Sequence, residues 1–533
     1  MTIPGLMQTT PLTITSIFDR LRTIYGDGEI VSPERRMTYG EFTERVLKLC
    51  SALRELGVGP GDRVGSFGFN HSRHLELYYA VPLLGAVLHT INVRLFPEQI
   101  TYITNHAEDK VVFFDGELAE KLAEVAPGFT SVTRYVQMGD GPDAGLAPLY
   151  DHDELVASSL PVSDLPELDE NAACGICYTS GTTGMPKGVL YSHRAQWLHA
   201  MSFCLAENVG ITQLDRVFPV VPLFHAVGWG IPYAAPFVGA ELVFHGSDNS
   251  PQNIGRVIDE ERVTVSAAVP TIWKELLPLL ESGEVKATTL DRLTVGGAAT
   301  PRSLIEAYDR FNINLVQGWG MTETGPLVCL SKPRRNQQHL SYEEKLDLRA
   351  KTGTIFPGIE MRICGVDGEE LPWDGKEAGE IEVRGPWIAS DYYNDDGLQE
   401  KFHDGWLRTG DMAVMEPDGY FKIVDRAKDL VKSGGEWISS VDLECAILAH
   451  PQVRDAAVVG VPSKKWDERP VAVVVPLDGG APTLEEIHEF LTGKLAKWWF
   501  PDELVIVDDI PKTSVGKIDK KAIRANLAGM ELE

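Results

Sequence analysis

The sequence predicts an α/β protein, with βα units that build a parallel sheet, followed across a hinge by a small α+β domain. Three observations carry this expectation. Apolar residues at helical spacing alternate with short apolar runs early in the 533-residue chain, as they do in βα units. A strand-like run at 172–177 opens directly into a loop of glycines, hydroxyls and a lysine, at the strand end where open α/β sheets place ligands. At 425–437 the chain turns strongly charged and then glycine-rich, as a hinge between domains requires. About a hundred residues of helix and strand pattern follow, enough for a small domain.

Composition narrows the class before any element is placed. With 44% hydrophobic residues the chain reads as an ordinary soluble globular protein with a large core. Its 49 Lys plus Arg against 77 Asp plus Glu give a formal charge of −28, which repels nucleic acid and anionic lipid at long range. Any anionic ligand then needs local cations or a metal. Seven cysteines, an odd number spread over the chain, argue for a reducing compartment and against a disulfide framework. Cys174 and Cys177 form a Cys-x-x-Cys in an apolar run with no second pair and no suitably spaced His, so no metal or redox role is expected. No leader or lipidation signal is read, and a cytoplasmic protein is expected. Residues 217–240 carry no charge and are numerous enough to cross a bilayer. Pro219, Pro222, Pro232 and Pro236 interrupt them, so the tract reads as apolar segments turning through the interior rather than a membrane span.

In chain order, Phe42, Val46, Leu49 and Leu53 share one helical face, and that helix stops at Gly57 before a Val-Gly-Pro-Gly turn. Residues 63–69 read as a strand, 72–84 as a helix and 110–114 as another strand. Gly, Pro, Asp and Ser accumulate at 139–164, a surface connection. Residues 92–97, Asn-Val-Arg-Leu-Phe-Pro, carry no derivable mechanism.

Residues 178–188 read Tyr-Thr-Ser-Gly-Thr-Thr-Gly-Met-Pro-Lys-Gly. Thr179, Ser180, Gly181, Thr182, Thr183, Gly184 and Lys187 offer small donors and a cation that a polyphosphate can approach closely. The Walker pattern is absent, because Met185 and Pro186 follow Gly184, and Gly188 follows Lys187. Further on, Pro-Leu-Phe-His-Ala-Val-Gly-Trp at 222–229 suits an apolar pocket edged by His225 and Trp229. Strands near 263–269 and 293–295 follow, the second ending in small residues at 296–301 on which a flat ring can lie. Gln-Gly-Trp-Gly-Met-Thr-Glu-Thr-Gly at 317–325 combines an aromatic, a hydroxyl and a carboxylate in what reads as a turn-rich loop, with Glu323 suited to Mg²⁺. A solvated loop with a short helix is expected at 331–351, then strands at 379–384, 406–411 and 419–424. Asp411, at a strand end after a glycine, could accept two ribose hydroxyls. Near the C-terminus, 511–521 is a basic, glycine-containing loop in an otherwise acidic chain.

Five separated stretches agree in order with one family. The chain resembles the adenylate-forming superfamily, and within it the fatty acyl-CoA and methylmercaptopropionate-CoA ligase branch, from Arg-Leu-Phe-Pro-Glu-Gln-Ile at 94–100 to Ala-Lys-Trp-Trp-Phe-Pro at 496–501. The resemblance implies a large N-terminal domain of packed mixed and parallel sheets with helices at 1–424, a hinge at 425–430 and a lid at 431–533. It implies ATP, Mg²⁺ and CoA as cofactor and co-substrates, a small carboxylic acid as substrate, and a homodimer. By resemblance, Thr179 to Lys187 hold the β and γ phosphates, Thr322 contacts phosphate, and Glu323 with Thr179 positions the metal. Gly296, Gly297, Ala298, Gln317, Gly318 and Trp319 enclose adenine, and Asp411 with Arg426 binds ribose. Lys517 bridges carboxylate and α-phosphate. Lys428 stands at the hinge position, while Lys432, Gly434, Gly435 and Trp437 face CoA once the lid has turned.

Trp229 matches the gate of an acyl tunnel, with His225, Gly320 and Met321 beside it. Acetate-specific relatives carry tryptophan where this chain has Gly320, which implies room for an extended chain. Amino-acid-activating relatives place an aspartate in the His225 segment, and 223–229 contain none. A medium- to long-chain fatty acid is therefore expected, with a short thioether acid or an aryl acid as the alternative. From other classes, a luciferase-like adenylating oxidase would share the motifs and a decayed binding protein would lack intact Lys187, Glu323, Asp411 and Lys517.

Overall fold

The alternating N-terminal segments build a seven-stranded sheet in the order Leu149–Asp151, Arg134–Met138, Asp109–Asp115, Arg63–Phe67, Val87–Thr90, Ala173–Tyr178 and Gly188–Ser192. Neighbours run parallel except for the last pair. The structure is a computed structural model that describes residues 3, 5–179, 185–365, 367–395, 401–433, 436–477, 480–513, 517–530 and 532. The candidates Ser180, Gly181, Thr182, Thr183, Gly184, Gly434 and Gly435 lie outside the described residues.

Val111 and Phe113 pack into one core, Val112 and Phe114 into another, and all four are fully buried. A parallel strand covered on both faces needs such a continuous apolar run. Helix Tyr39–Glu55 buries Phe42, Val46, Leu49 and Leu53, as their spacing predicts, and opens with a capping box between Thr38 and Glu41. Past its end Gly57 takes a φ of +80°, a conformation that favours glycine.

A nine-stranded sheet lies beside the first, in the order Thr354–Ile355, Leu327–Leu330, Asn314–Gly320, Arg292–Val295, Val265–Ala268, Arg216–Pro219, Glu241–Val243, Glu29–Ser32 and Arg35–Thr38. Its central strands are parallel and its two margins antiparallel. The uncharged tract is divided between strand Arg216–Pro219, a turn at Ala226–Gly230 and helix Ile231–Val238. Among the described residues, no helix is long and apolar enough to cross a membrane.

A third, antiparallel sheet joins Glu360–Cys364, Ala378–Arg384, Trp406–Met415, Phe402–His403 and Phe421–Arg426. The smaller C-terminal part has its own sheet, Glu436–Ile438, Val431–Ser433, Asp467–Pro476 and Val453–Ser463, with Glu503–Ile506 added in parallel. It also has its own apolar cores, packed by helices Ser440–Leu448, Leu484–Leu491 and Lys520–Asn526. A large α/β part with mixed sheets and a smaller C-terminal domain thus make up the fold.

Two expectations need correction. The 139–164 connection contains strand Leu149–Asp151 and helix His152–Ser158, elements too short for periodicity to reveal among turn-forming residues. The 317–325 motif begins inside strand Asn314–Gly320 and only then enters the turn Thr322–Thr324. At 425–437, Asp425 and Arg426 still belong to strand Phe421–Arg426, and the strands on either side of the two glycines pair antiparallel.

Where the C-terminal domain begins, buried charges tie it to the larger part. The Asp425 carboxylate, 1% exposed, accepts the Ser440 backbone N–H at 2.7 Å. Lys520 Nζ lies 2.8 Å from Glu444 and donates to the Ser440 hydroxyl. Burial opposes the Lys520 charge, but Glu444 and Asp425 hold its ammonium above the ordinary lysine range. Lys520→Met strips two buried carboxylates of their cation and is expected to lower the unfolding free energy by about 3–5 kcal/mol, read from urea denaturation.

Candidate active site

The phosphate loop is closed at its base by the sheet itself. Tyr178 pairs with Gly188 across the antiparallel edge. One step beyond, the Thr179 N–H donates to the Lys187 carbonyl at 2.9 Å, and the Lys187 N–H donates to Thr179 Oγ1 at 3.1 Å. The two ends of the loop are thereby fixed against each other, and both face a cavity of about 430 Å³, a size usual for small-molecule sites.

That cavity brings together Thr179, Lys187, Thr322, Glu323, Arg426 and Lys517, drawn from both parts of the chain. Gly296, Gly297, Gly318, Lys428, and the acyl candidates His225, Trp229, Gly320 and Met321 also line it. The charged lining is lopsided: Arg94, Lys187, Lys401, Arg426, Lys428 and Lys517 face it with Glu323 as the sole carboxylate among the described residues. Elsewhere its wall is apolar, with Val220, Val221, Val269, Ile272 and Leu327.

Glu323 is 4% exposed and held by its neighbours. Its Oε1 accepts the Tyr392 phenol O–H and lies 3.3 Å from Lys401 Nζ. The turn carrying it is fixed by Tyr191, whose O–H donates to the Thr322 carbonyl at 2.7 Å, and by the Ala389 N–H on the Glu323 carbonyl at 2.8 Å. Magnesium, which the resemblance implies, suits this donor set. A hard cation that keeps waters and phosphate oxygens needs only one or two protein oxygens, and the Glu323 carboxylate and the Thr179 hydroxyl both belong to residues of the cavity wall.

Burial pushes the Lys517 ammonium down to about 8, the Arg426 charge adds to this, and Asp411 and Glu323 oppose it. Its Cε stands 3.5 Å from where a Cβ on Gly297 would be. Burial, then Lys517 and Arg94, push His225 down to about 3, so its imidazole is neutral at pH 7.

The segment after His225 is strained. Ala226, Val227 and Trp229 have φ of 38°, 45° and 50°, with Gly228 and Gly230 likewise positive. Each non-glycine residue there costs on the order of 1–2 kcal/mol, and such strain collects at functional sites. The turn sets the Trp229 indole so close to Gly296 that a Cβ at 296 would come within 2.9 Å of the ring.

Several expected contacts are displaced. Trp319 does not line the cavity: it is 8% exposed, packs edge-on against Phe421, and donates its indole N–H to Asp411 Oδ2 at 2.8 Å. Strand alternation explains this, since Gly318 and Gly320 face the cavity while Gln317 and Trp319 point the other way. Gln317 instead accepts the Thr300 N–H at 3.2 Å, and Ala298 is exposed outside the lining. Asp411 is buried behind the wall formed by Thr409 and Gly410, with Oδ1 3.3 Å from Arg426 Nε. Gly320 is small for a reason other than acyl room, because a Cβ there would meet the Pro326 carbonyl oxygen at 1.8 Å. Lys432 and Trp437 face each other in register across their strand pair, both exposed and outside the cavity. Sequence reasoning missed Tyr392 and Lys401, which no local pattern marks.

The chain has known relatives along nearly its whole length. The sequence matches the family model described as AMP-binding enzyme over residues 20–393, and that of the AMP-binding enzyme C-terminal domain over 442–517. It is 46% identical to a long-chain-fatty-acid–CoA ligase of Thermus thermophilus, covering 98% of this chain and 96% of that one. It is 43% identical to a 3-methylmercaptopropionyl-CoA ligase of Ruegeria lacuscaerulensis, covering 98% of each. Its fold superimposes on the crystal structure of an anthranilate CoA ligase in complex with anthranoyl-AMP, with a TM-score of 0.88 and 22% identity over 97% of this chain and 98% of that one. With matching family models over both its parts and such relatives along nearly its whole length, the chain belongs to the AMP-binding enzyme family.

Proposed function

We propose that this protein is an ATP-dependent, AMP-forming acyl-CoA synthetase that activates medium- to long-chain fatty acids. The observation that carries the reading is the charge of the cavity, where among the described residues six cations and one carboxylate gather in a chain of formal charge −28. Such a lining suits a triphosphate and a carboxylate together, and its apolar wall suits an alkyl chain.

In the first half-reaction a carboxylate oxygen attacks the α-phosphorus of ATP and the bond to pyrophosphate breaks, leaving an acyl adenylate. In the second, the CoA thiol loses its proton and attacks the acyl carbon, and the bond to AMP breaks. Lys187 and the loop hydroxyls hold the β and γ phosphates, and Lys517 bridges the carboxylate and the α-phosphate, stabilising charge that grows in the transition state. Gly296, Gly297 and Gly318 form the bed for adenine, with Arg426 and Asp411 toward the ribose. Glu323 and Thr179 would hold Mg²⁺, which would supply charge neutralisation for the phosphates.

The domain reading is 1–424, a hinge at 425–430 around Lys428, and a lid at 431–533. Lys517 lines the cavity while Lys432 and Trp437 lie outside it, so the arrangement is taken as the one that serves adenylation. Use of CoA then requires the lid to turn. A reducing cytoplasm suits seven free cysteines, and a homodimer is carried as part of the reading. The similarity to a 3-methylmercaptopropionyl-CoA ligase favours one second reading, a short thioether acid.

AMP release across acids from acetate to palmitate, with thioether and aryl acids included, is expected to be most efficient for medium or long chains. A maximum at the thioether acid would shift the assignment to the second reading. Lys517→Ala is expected to reduce ATP–pyrophosphate exchange by about 100-fold while thioester formation from presynthesised acyl adenylate changes little. Trp437→Ala is expected to do the reverse. Because the Lys517 ammonium is lost as pH rises through about 8, kcat/KM for ATP should fall on the alkaline side of that value. Lys517→Arg, charged throughout, should remove that limb.

A further inference from the structure

We propose that Lys401 is a phosphate-binding residue parked on Glu323: its ammonium neutralises the carboxylate before nucleotide arrives, then passes to the departing pyrophosphate group once Mg²⁺ takes its place. The inference rests on the ATP reading of the cavity and gives Lys401 and Tyr392 individual roles that the reading left unassigned.

Four groups make the arrangement. Lys401 Nζ lies 3.3 Å from Glu323 Oε1, the same oxygen that accepts the Tyr392 phenol O–H. Lys187 Nζ, from the phosphate loop, lies over the Tyr392 ring at 5.2 Å from its centroid, and Lys401 Nζ lies over the same ring at 5.7 Å. Lys187 Nζ is also 4.0 Å from Asp395 Oδ2. One phenol ring thus gathers two ammonium groups, and Glu323, Tyr392, Lys187 and Lys401 all line the cavity.

The charges explain why a lysine should sit there. A carboxylate as buried as Glu323 needs a counter-ion when no metal is present, and Lys401 supplies it. When the metal binds that carboxylate, the ammonium is left without its anion beside an incoming polyphosphate. Lysine suits the transfer, being a compact charge on a flexible stem that binds phosphate as a point charge. Its side chain is 28% exposed, so it retains room to move, while that of Glu323 is 5% exposed.

The test compares wild type with Lys401→Met and Lys401→Arg. Calorimetry with a non-hydrolysable ATP analogue and Mg²⁺ should show Kd about ten- to hundredfold higher for Lys401→Met, the scale of a lost charge-assisted contact, and largely restored in Lys401→Arg. Mg²⁺ alone should raise the Tm of Lys401→Met but not of wild type, where the ammonium already occupies the carboxylate. Should Lys401→Met fail to fold, Lys401→Gln, which keeps a hydrogen-bond donor but no charge, carries the same expectations. An unchanged Kd, or an identical Mg²⁺ response in variant and wild type, overturns the proposal. Failure of wild type itself to bind the analogue would instead sink the nucleotide reading.

Discussion

Electrostatic repulsion is the constraint under which this molecule works. A chain with 77 acidic and 49 basic residues must admit anions to one cavity, and the average field opposes each of them. The structure meets this by concentrating cations where field lines are confined by a low-dielectric wall. At 4 Å and an effective dielectric constant near 20, one such charge is worth about 4 kcal/mol, so a handful of local cations outweighs a diffuse surface charge that salt screens within about 10 Å. Strand ends, loop bases and the C-terminal domain converge on this place because each delivers a cation or a donor to it.

Rigid support for those charges comes from the two large sheets. The loop carrying Lys187 is pinned by the Thr179–Lys187 bonds that extend the ladder of the seven-stranded sheet. Glu323 follows the end of a strand in the nine-stranded sheet, and Tyr191, from the other sheet, reaches across to its turn. The site therefore sits where the two sheets meet, and its geometry depends on their packing. The C-terminal domain adds Lys517 to this frame from outside, and the Asp425–Ser440 bond connects it to the last strand of the third sheet.

Much of this was legible in the sequence, for physical reasons that differ from one element to the next. The helix at Phe42 to Leu53 and the buried strands at 110–114 and 172–177 were readable because amphipathic or apolar runs of that length admit few other solutions. Thr179, Lys187 and Lys517, singled out in glycine- and hydroxyl-containing strings, do line one cavity. Trp319 was misjudged because a glycine-rich string suggests a loop, whereas pleating sends alternate residues to opposite faces. Tyr392 and Lys401 escaped because their significance exists only in three dimensions. Lys401 meets a carboxylate 78 positions away, and Tyr392 becomes a platform only once two lysines lie over it. Lys432 and Trp437 lie on a short strand pair outside the cavity, and a sequence does not say which way a domain is turned.

The contact between Trp229 and Gly296 has an evolutionary corollary. An indole braced by a left-handed turn presses on a residue that has no side chain, and neither partner can enlarge alone. Divergence at this spot should proceed by paired exchange: relatives that acquire a methyl at 296 should carry a slimmer ring or an aliphatic residue at 229.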